Sequence, residues 1–290
     1  MNNIKTTVFI HLLNEKELLP HWLKHHKKMF DHGVVIDFYS TDNTRDIVKD
    51  ICPTWDIVAP TKGFGECSEL IEVWEQNYDG WKIALNVTEF LFIDDLKKFI
   101  IDFENKYPDM NGIRARGTII VDTIGKPIID DIPLVLQYTN GYFEEDIVPK
   151  YIDYNDKSDP SIWHNANEHI AKTAKLIEMG IDGRSRLLHK CKTGRYLQGR
   201  HITLHENIYP RSTNTTPESD LIVLWFGFAP SSIAIARHSK ESSYILRQNK
   251  LGIRELIKYH GEISYDLKKD KRYSDMFNIL EKNYNKPHLL

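Results

Sequence analysis

Through its first hundred residues the chain switches repeatedly between two hydrophobic periods, and that switching confines it to a layered α/β architecture. Residues 4–13 form an apolar, β-branched run bounded by polar residues, the pattern of a buried strand. A helix follows, with Pro20 in its first turn and Leu19, Trp22, Leu23, His26, Met29 and Phe30 at helical spacing. Gly33 opens a second strand, Val34 to Tyr39, which the turn-rich Ser40-Thr41-Asp42-Asn43-Thr44 stops. A short helix and a third strand around Asp56-Ile57-Val58 precede the Gly63-Phe64-Gly65 loop. Ser68 is placed to cap the next helix, whose stripe is Leu70, Ile71, Trp74, Asn77 and Tyr78, and Trp81 to Leu85 is a fourth strand. Alternation of this kind predicts a mainly parallel sheet between helices, with ligands at the carboxyl ends of its strands.

After Asp94 a helix carries Leu96, Phe99, Ile100 and Phe103 on one face, and Gly112 to Asp122 reads as a further strand. Residues 123–165 are rich in Pro, Asp, Asn and Tyr with weak periodicity, so long loops are expected there. Ile170, Ala174 and Ile177 mark a helix ending at Gly180; 184–205 reads as extended segments, 221–230 as a buried strand, and 252 onward as mostly helix. The expected organisation is one domain over 1–250, divided into halves 1–110 and 111–250, with a helical extension over 251–290.

Composition narrows the partners. A formal net charge of -3 supplies no global basic field for nucleic acid or an anionic membrane. Cys52, Cys67 and Cys191 show no CxxC spacing and cannot all pair, which suits free thiols in a reducing compartment. The apolar run Thr7 to Leu13 is short for a signal core. Leu221 to Pro230 falls short of the ~20 residues that span a bilayer. A cytoplasmic protein without a transmembrane segment is expected, and the sequons at Asn86 and Asn214 then read as chance matches.

Two segments near strand ends carry the chemistry. One is Asn14-Glu15 followed by Leu19-Pro20-His21-Trp22-Leu23-Lys24-His25-His26; the other is Asp37-Phe38-Tyr39-Ser40-Thr41-Asp42-Asn43-Thr44. Asp37 and Glu15 have the oxygens to accept hydrogen bonds from an imide or a ribose hydroxyl, and Asp37 is expected at an exposed ligand edge. Asp37 and Asp42 equally suit a plain turn. At this spacing the segments resemble the nucleotide-binding half of GT-A glycosyltransferases, especially families 2 and 92, over residues 6 to about 95. The resemblance implies a GT-A fold with a Rossmann-like sheet, an irregular acceptor half and C-terminal helices. It implies transfer of a sugar from a nucleoside diphosphate sugar to a hydroxyl of a glycan or glycoconjugate. Asn14, Glu15, Asp37 and Asp42 would then hold the nucleotide.

The chain departs from the family at its metal motif. Where GT-A enzymes carry Asp-x-Asp, this chain has Asn86-Val87-Thr88, followed by Glu89-Phe90. Asn86, Thr88 and Glu89 would face ribose, diphosphate or sugar, with Glu89 the one carboxylate left for catalysis. The resemblance implies a divalent cation, Mn²⁺ or Mg²⁺. Amide and hydroxyl oxygens are poor substitutes for carboxylates at such an ion, which leaves Glu89 and His201 to hold one. A compensating stretch runs from Gly183 to His205, with six Lys or Arg and no acid. Its Arg186 and Arg200 are candidates to neutralise a diphosphate without metal. A solvated basic face explains the same stretch, and a nucleic-acid patch is the weaker alternative because only Tyr196 supplies an aromatic. Glu168, at a predicted helix start, is the candidate general base, though a first-turn Glu also suits the helix dipole. His21 and His25 have zinc-pair spacing without the metalloprotease Glu and read as a solvated helix face. Set against a transferase is a non-catalytic GT-A relic that binds nucleotide or glycan.

Overall fold

The computed structural model describes residues 4–63, 66–143, 185–196, 200, 203, 205, 207–209, 221–238 and 253–285. In chain order the elements are β1 (Thr6–Leu12), α1 (Leu19–His26), β2 (His32–Asp37), α2 (Thr44–Ile51), β3 (Asp56–Val58), α3 (Cys67–Glu75), β4 (Trp81–Leu85), β5 (Glu89–Phe92), α4 (Leu96–Lys106) and β6 (Gly112–Val121). They continue as α5 (Leu134–Gln137), β7 (Asn140–Phe143), β8 (Arg186–His189), β9 (Ile208–Tyr209), β10 (Ile222–Phe228), α6 (Ser231–His238), α7 (Ile253–Ile263), β11 (Tyr265–Asp266) and α8 (Lys271–Tyr284). The chain forms two compact units: Met1–Arg116 with Ser185–Val223, and Gly117–Arg184 with Leu224–Leu290. The division expected from sequence, at 110 and 251, differs in both respects: Ser185–Val223 returns to the first unit, and the C-terminal helices share the second with residues 117–184.

The first unit is a mixed α/β layer built on the order β8-β4-β1-β2-β3. Strands β4, β1, β2 and β3 are parallel, with Phe9 opposite Val34 on one side and Ala84 on the other. Strand β8 joins antiparallel to β4, and the first half of β6 antiparallel to β8. Phe9, Val34, Ile36, Leu70, Ile71, Ala84 and Leu187 form one buried cluster, so α3 covers this face. Alternation sends Val8, Ile10 and Leu12 to the opposite face, where they too are buried. A parallel sheet covered on both sides produces near-continuous apolar runs, which is why β1 was visible as one in the sequence. Gly33 is a packing requirement: a Cβ there would stand 2.1 Å from the Trp55 ring.

In the second unit, the later half of β6 pairs with β7 and β7 with β11. Its core gathers Ile119, Val121, Tyr142, Trp225, Phe228, Ala234 and Ile257. Buried Asp122 accepts from the amides of Ile124, Gly125 and Lys126 through one oxygen, and from Ser231 N at the start of α6 through the other.

Several local expectations change. Met29 and Phe30 lie beyond α1, whose last residue is His26. The N-cap of α3 is Glu66, which places Ser68 inside the helix and Asn77 and Tyr78 beyond its end. Strand β5 continues the Asn86–Glu89 turn where no strand was expected, and β7 and α5 interrupt the stretch read as loops. The helix expected before Gly180 lies outside the described residues. Among the described residues no helix is long and apolar enough to cross a membrane.

Candidate functional site

Parallel strands β1, β2 and β4 bring three chain segments to one carboxyl edge in the first unit. At β1 and β2, two loops clamp each other. The Asn14 side chain accepts from Thr41 N at 2.7 Å and Asp42 N at 3.3 Å, while the Asn14 backbone N–H donates to Ser40 Oγ at 2.9 Å. Glu15 N donates to Thr44 Oγ1 at 2.9 Å, and Asp42 accepts from Thr44 N at 3.0 Å and Lys16 N at 3.4 Å. Two residues of this clamp have left-handed backbone, Asn14 at φ 55 and Tyr39 at φ 58. Asparagine tolerates that region; a bulky tyrosine does so at a cost of about 1–2 kcal/mol.

Asp37 does not stand at an exposed edge. It is 0% exposed, accepting from Ser40 N at 3.1 Å through one oxygen and from Arg45 Nη1 at 3.1 Å through the other. Burying a carboxylate requires such partners, and the turn provides them. Among the groups this end presents to solvent are Arg45, whose side chain is 47% exposed, and Tyr39, 68% exposed.

The end of β4 is ionic. Glu89 is 1% exposed and its carboxylate accepts from Asn86 N at 2.7 Å, Asn86 Nδ2 at 3.1 Å and Arg186 Nε at 2.7 Å, with Arg186 Nη2 completing a two-pronged pair. Arg200 Nη2 donates to Asn86 Oδ1. Two guanidiniums thus converge on the turn Asn86–Glu89, in which Thr88 is also buried. Both arginines are 2% exposed, so the solvated basic face does not describe them. The Glu89 oxygens are engaged with Arg186 and Asn86, and among the described residues no group of three His, Cys, Asp or Glu side chains could hold a metal ion. The described donor set therefore does not fit a hard divalent cation. His201 and Glu168 lie outside the described residues.

Helix α1 holds this turn in place. Trp22 Nε1 donates to Glu89 O at 2.8 Å, the His25 ring meets Leu91 O at 2.8 Å, and His26 Nε2 accepts from Leu91 N at 3.2 Å. His25 is thus a packing group and not part of a solvated face; burial brings its pKa down to about 4. The Trp-Leu-Lys-His-His run positions β5, the strand that begins at Glu89.

A second buried network gathers around Glu75, and its Tyr196 feels the charge of Arg200. Glu75 accepts from Gly194 N at 2.6 Å, Tyr196 Oη at 2.7 Å and the His189 ring at 3.3 Å. Burial pushes its carboxyl up, but the bonds from His189, Tyr196 and Gly194 outweigh it and the net shift is downward. Lys82 Nζ donates to Tyr78 O and Lys192 O, and Tyr196 bridges to Thr203. Arg200 sits between those bridge partners in sequence.

Sequence reasoning passed over His11, which lies on β1 between the two ends. Its pKa falls well below 6.5, first through burial and then through the positive fields of Arg200 and Arg186. A polar residue one position from the end of an apolar strand was the available signal.

No protein-family model and no curated protein sequence matches the chain. Among solved structures it is similar to S. aureus TarS 1-349 in complex with UDP, at 18% identity over 43% of this chain and 38% of that chain, TM-score 0.34. It is also similar to glucosyl-3-phosphoglycerate synthase from Mycobacterium tuberculosis in complex with Mn²⁺, UDP and glucosyl-3-phosphoglycerate, at 14% identity over 40% of this chain and 44% of that chain, TM-score 0.31. The chain spans less than half the length of either.

Proposed function

We propose that the chain is a GT-A glycosyltransferase, of the kind families 2 and 92 represent. It would move a sugar from a nucleoside diphosphate sugar to a hydroxyl of a glycan or glycoconjugate in the cytoplasm. The observation that carries this is the pairing of two unlike ends on one sheet edge. A hydrogen-bonded turn closes β2, and two guanidiniums converge at β4, two strands away. At about 4.8 Å per strand the separation is near 10 Å. That suits a nucleoside diphosphate laid from base to terminal phosphate, with His11 under its middle.

In this reading Arg186 and Arg200 stabilise the leaving diphosphate as charge develops, the part a metal plays where two aspartates are present. Glu89 acts through Arg186, as its anchor. Asn14, Glu15 and Asp42 shape the nucleoside turn, Asn86 and Thr88 line the phosphate end, and Glu168 remains the proposed base that takes the acceptor proton. His201 is the remaining candidate should a cation take part.

The locked state of Glu89 favours a second reading, a nucleotide-binding relic without turnover. A thermal-shift panel of nucleoside diphosphates and their sugars tests the site, since a ligand that binds only the folded state raises its stability. Stabilisation by the diphosphates, with release of nucleoside diphosphate from one of the sugars, is expected. Stabilisation without release selects the relic, and no stabilisation removes both.

A further inference from the structure

Tyr39 presents an unusual combination. A bulky side chain, two-thirds exposed, stands on a backbone at φ 58. Its neighbours hold the conformation: Ser40 N is bonded to Asp37, Ser40 Oγ to Asn14 N, and Thr41 N to Asn14 Oδ1. With 68% of Tyr39 exposed, the fold gains little buried surface from the ring, so the strain is held for something outside it. Arg45, the second residue of α2, is tied to this turn, because the Asp37 carboxylate that accepts from Ser40 also accepts from Arg45.

We infer that the nucleobase of the proposed donor is read by Tyr39 and Arg45, with Asp37 orienting both and not itself meeting the base. The inference rests on the nucleotide-site proposal above. The Tyr39 ring offers a flat face for stacking, which any base accepts. The Arg45 guanidinium is donor-only and matches a base carbonyl, the acceptor that guanine O6 and the uracil carbonyls supply and adenine lacks. Asp37 is the positioning residue: its two oxygens fix the turn that carries Tyr39 and the direction of the guanidinium. Base choice at this site is then a choice for a carbonyl.

Calorimetry on the full chain tests it, with UDP, GDP, ADP and inorganic pyrophosphate as probes. The tighter of UDP and GDP is expected to exceed ADP by roughly tenfold, the scale of one hydrogen bond to a charged group. Tyr39→Gly suits the left-handed backbone, so its Tm is expected unchanged or higher. It should nonetheless bind the preferred nucleotide about tenfold more weakly, with pyrophosphate unaffected and Tyr39→Phe restoring affinity. Arg45→Gln should erase most of the margin over ADP. A preferred nucleotide that binds either Tyr39→Gly or Arg45→Gln as tightly as wild type overturns the inference and leaves the nucleotide site standing. Nucleoside diphosphates that bind no better than pyrophosphate overturn the inference and the nucleotide reading together.

Discussion

The carboxyl ends of β2 and β4 stand in one sheet with only β1 between them, yet they are assembled by opposite chemistry. At β2 the partners are amides, hydroxyls and a carboxamide, with the carboxylates of Asp37 and Asp42 and one exposed guanidinium. At β4 a buried carboxylate and two buried arginines meet on a single turn. A hydrogen-bonded turn loses stability in small steps, whereas a buried ion pair resists until one member goes and then strands a charge in a dry site.

Glu89→Ala is therefore expected to cause the largest loss, about 3–5 kcal/mol in urea unfolding, because it leaves Arg186 buried without its carboxylate. Asp37→Ala should cost about 1–3 kcal/mol, since the Arg45 it releases is already half in water. Equal losses at the two positions would break the comparison.

Acid should act through the packing that supports β5. The folded-state pKa of His25 is about 4 against 6.5 in the unfolded chain, and His11 and His26 shift the same way. Between those values the unfolded chain binds more protons, so stability is full above pH 6.5 and falls as pH drops toward 4. The His25 contribution is on the order of 2–3 kcal/mol. Unfolding measured across this window should show a shallower slope in His25→Gln; an unchanged slope would remove His25 from the acid response.

The smallest effect is expected at Asn14→Gly. Glycine keeps φ 55 but deletes the acceptor for Thr41 N and Asp42 N, a loss of about 1 kcal/mol. A loss as large as that of Glu89→Ala would show that the turn is as all-or-none as the ionic end.

Much of the first unit was legible because its signals are local. The apolar runs of β1, β2 and β4 and the stripes of α1 and α3 follow from periods of 2 and 3.6. The Ser40-Thr41-Asp42-Asn43-Thr44 segment advertised a turn through residue types that build turns. What escaped was set by partners distant in the chain. Asp37 is buried because Arg45 and Ser40 close over it, and Glu89 is locked by Arg186, 97 residues away. His25 looked like an exposed helix residue until β5, absent from the pattern, supplied Leu91 O. His11 offered a single polar letter in an apolar run, and its meaning depends on Arg186 and Arg200, which lie far from it along the chain.

The central claim is that protein cations, and not a metal, hold the diphosphate. Nucleoside diphosphate affinity measured by calorimetry in Mn²⁺ and in EDTA, for wild type and for Arg200→Ala, tests it most directly. The account predicts that Arg200→Ala weakens binding tenfold or more, at ~1.4 kcal/mol per decade, while EDTA changes wild-type affinity little. A large drop in EDTA with Arg200→Ala binding as wild type does would contradict it.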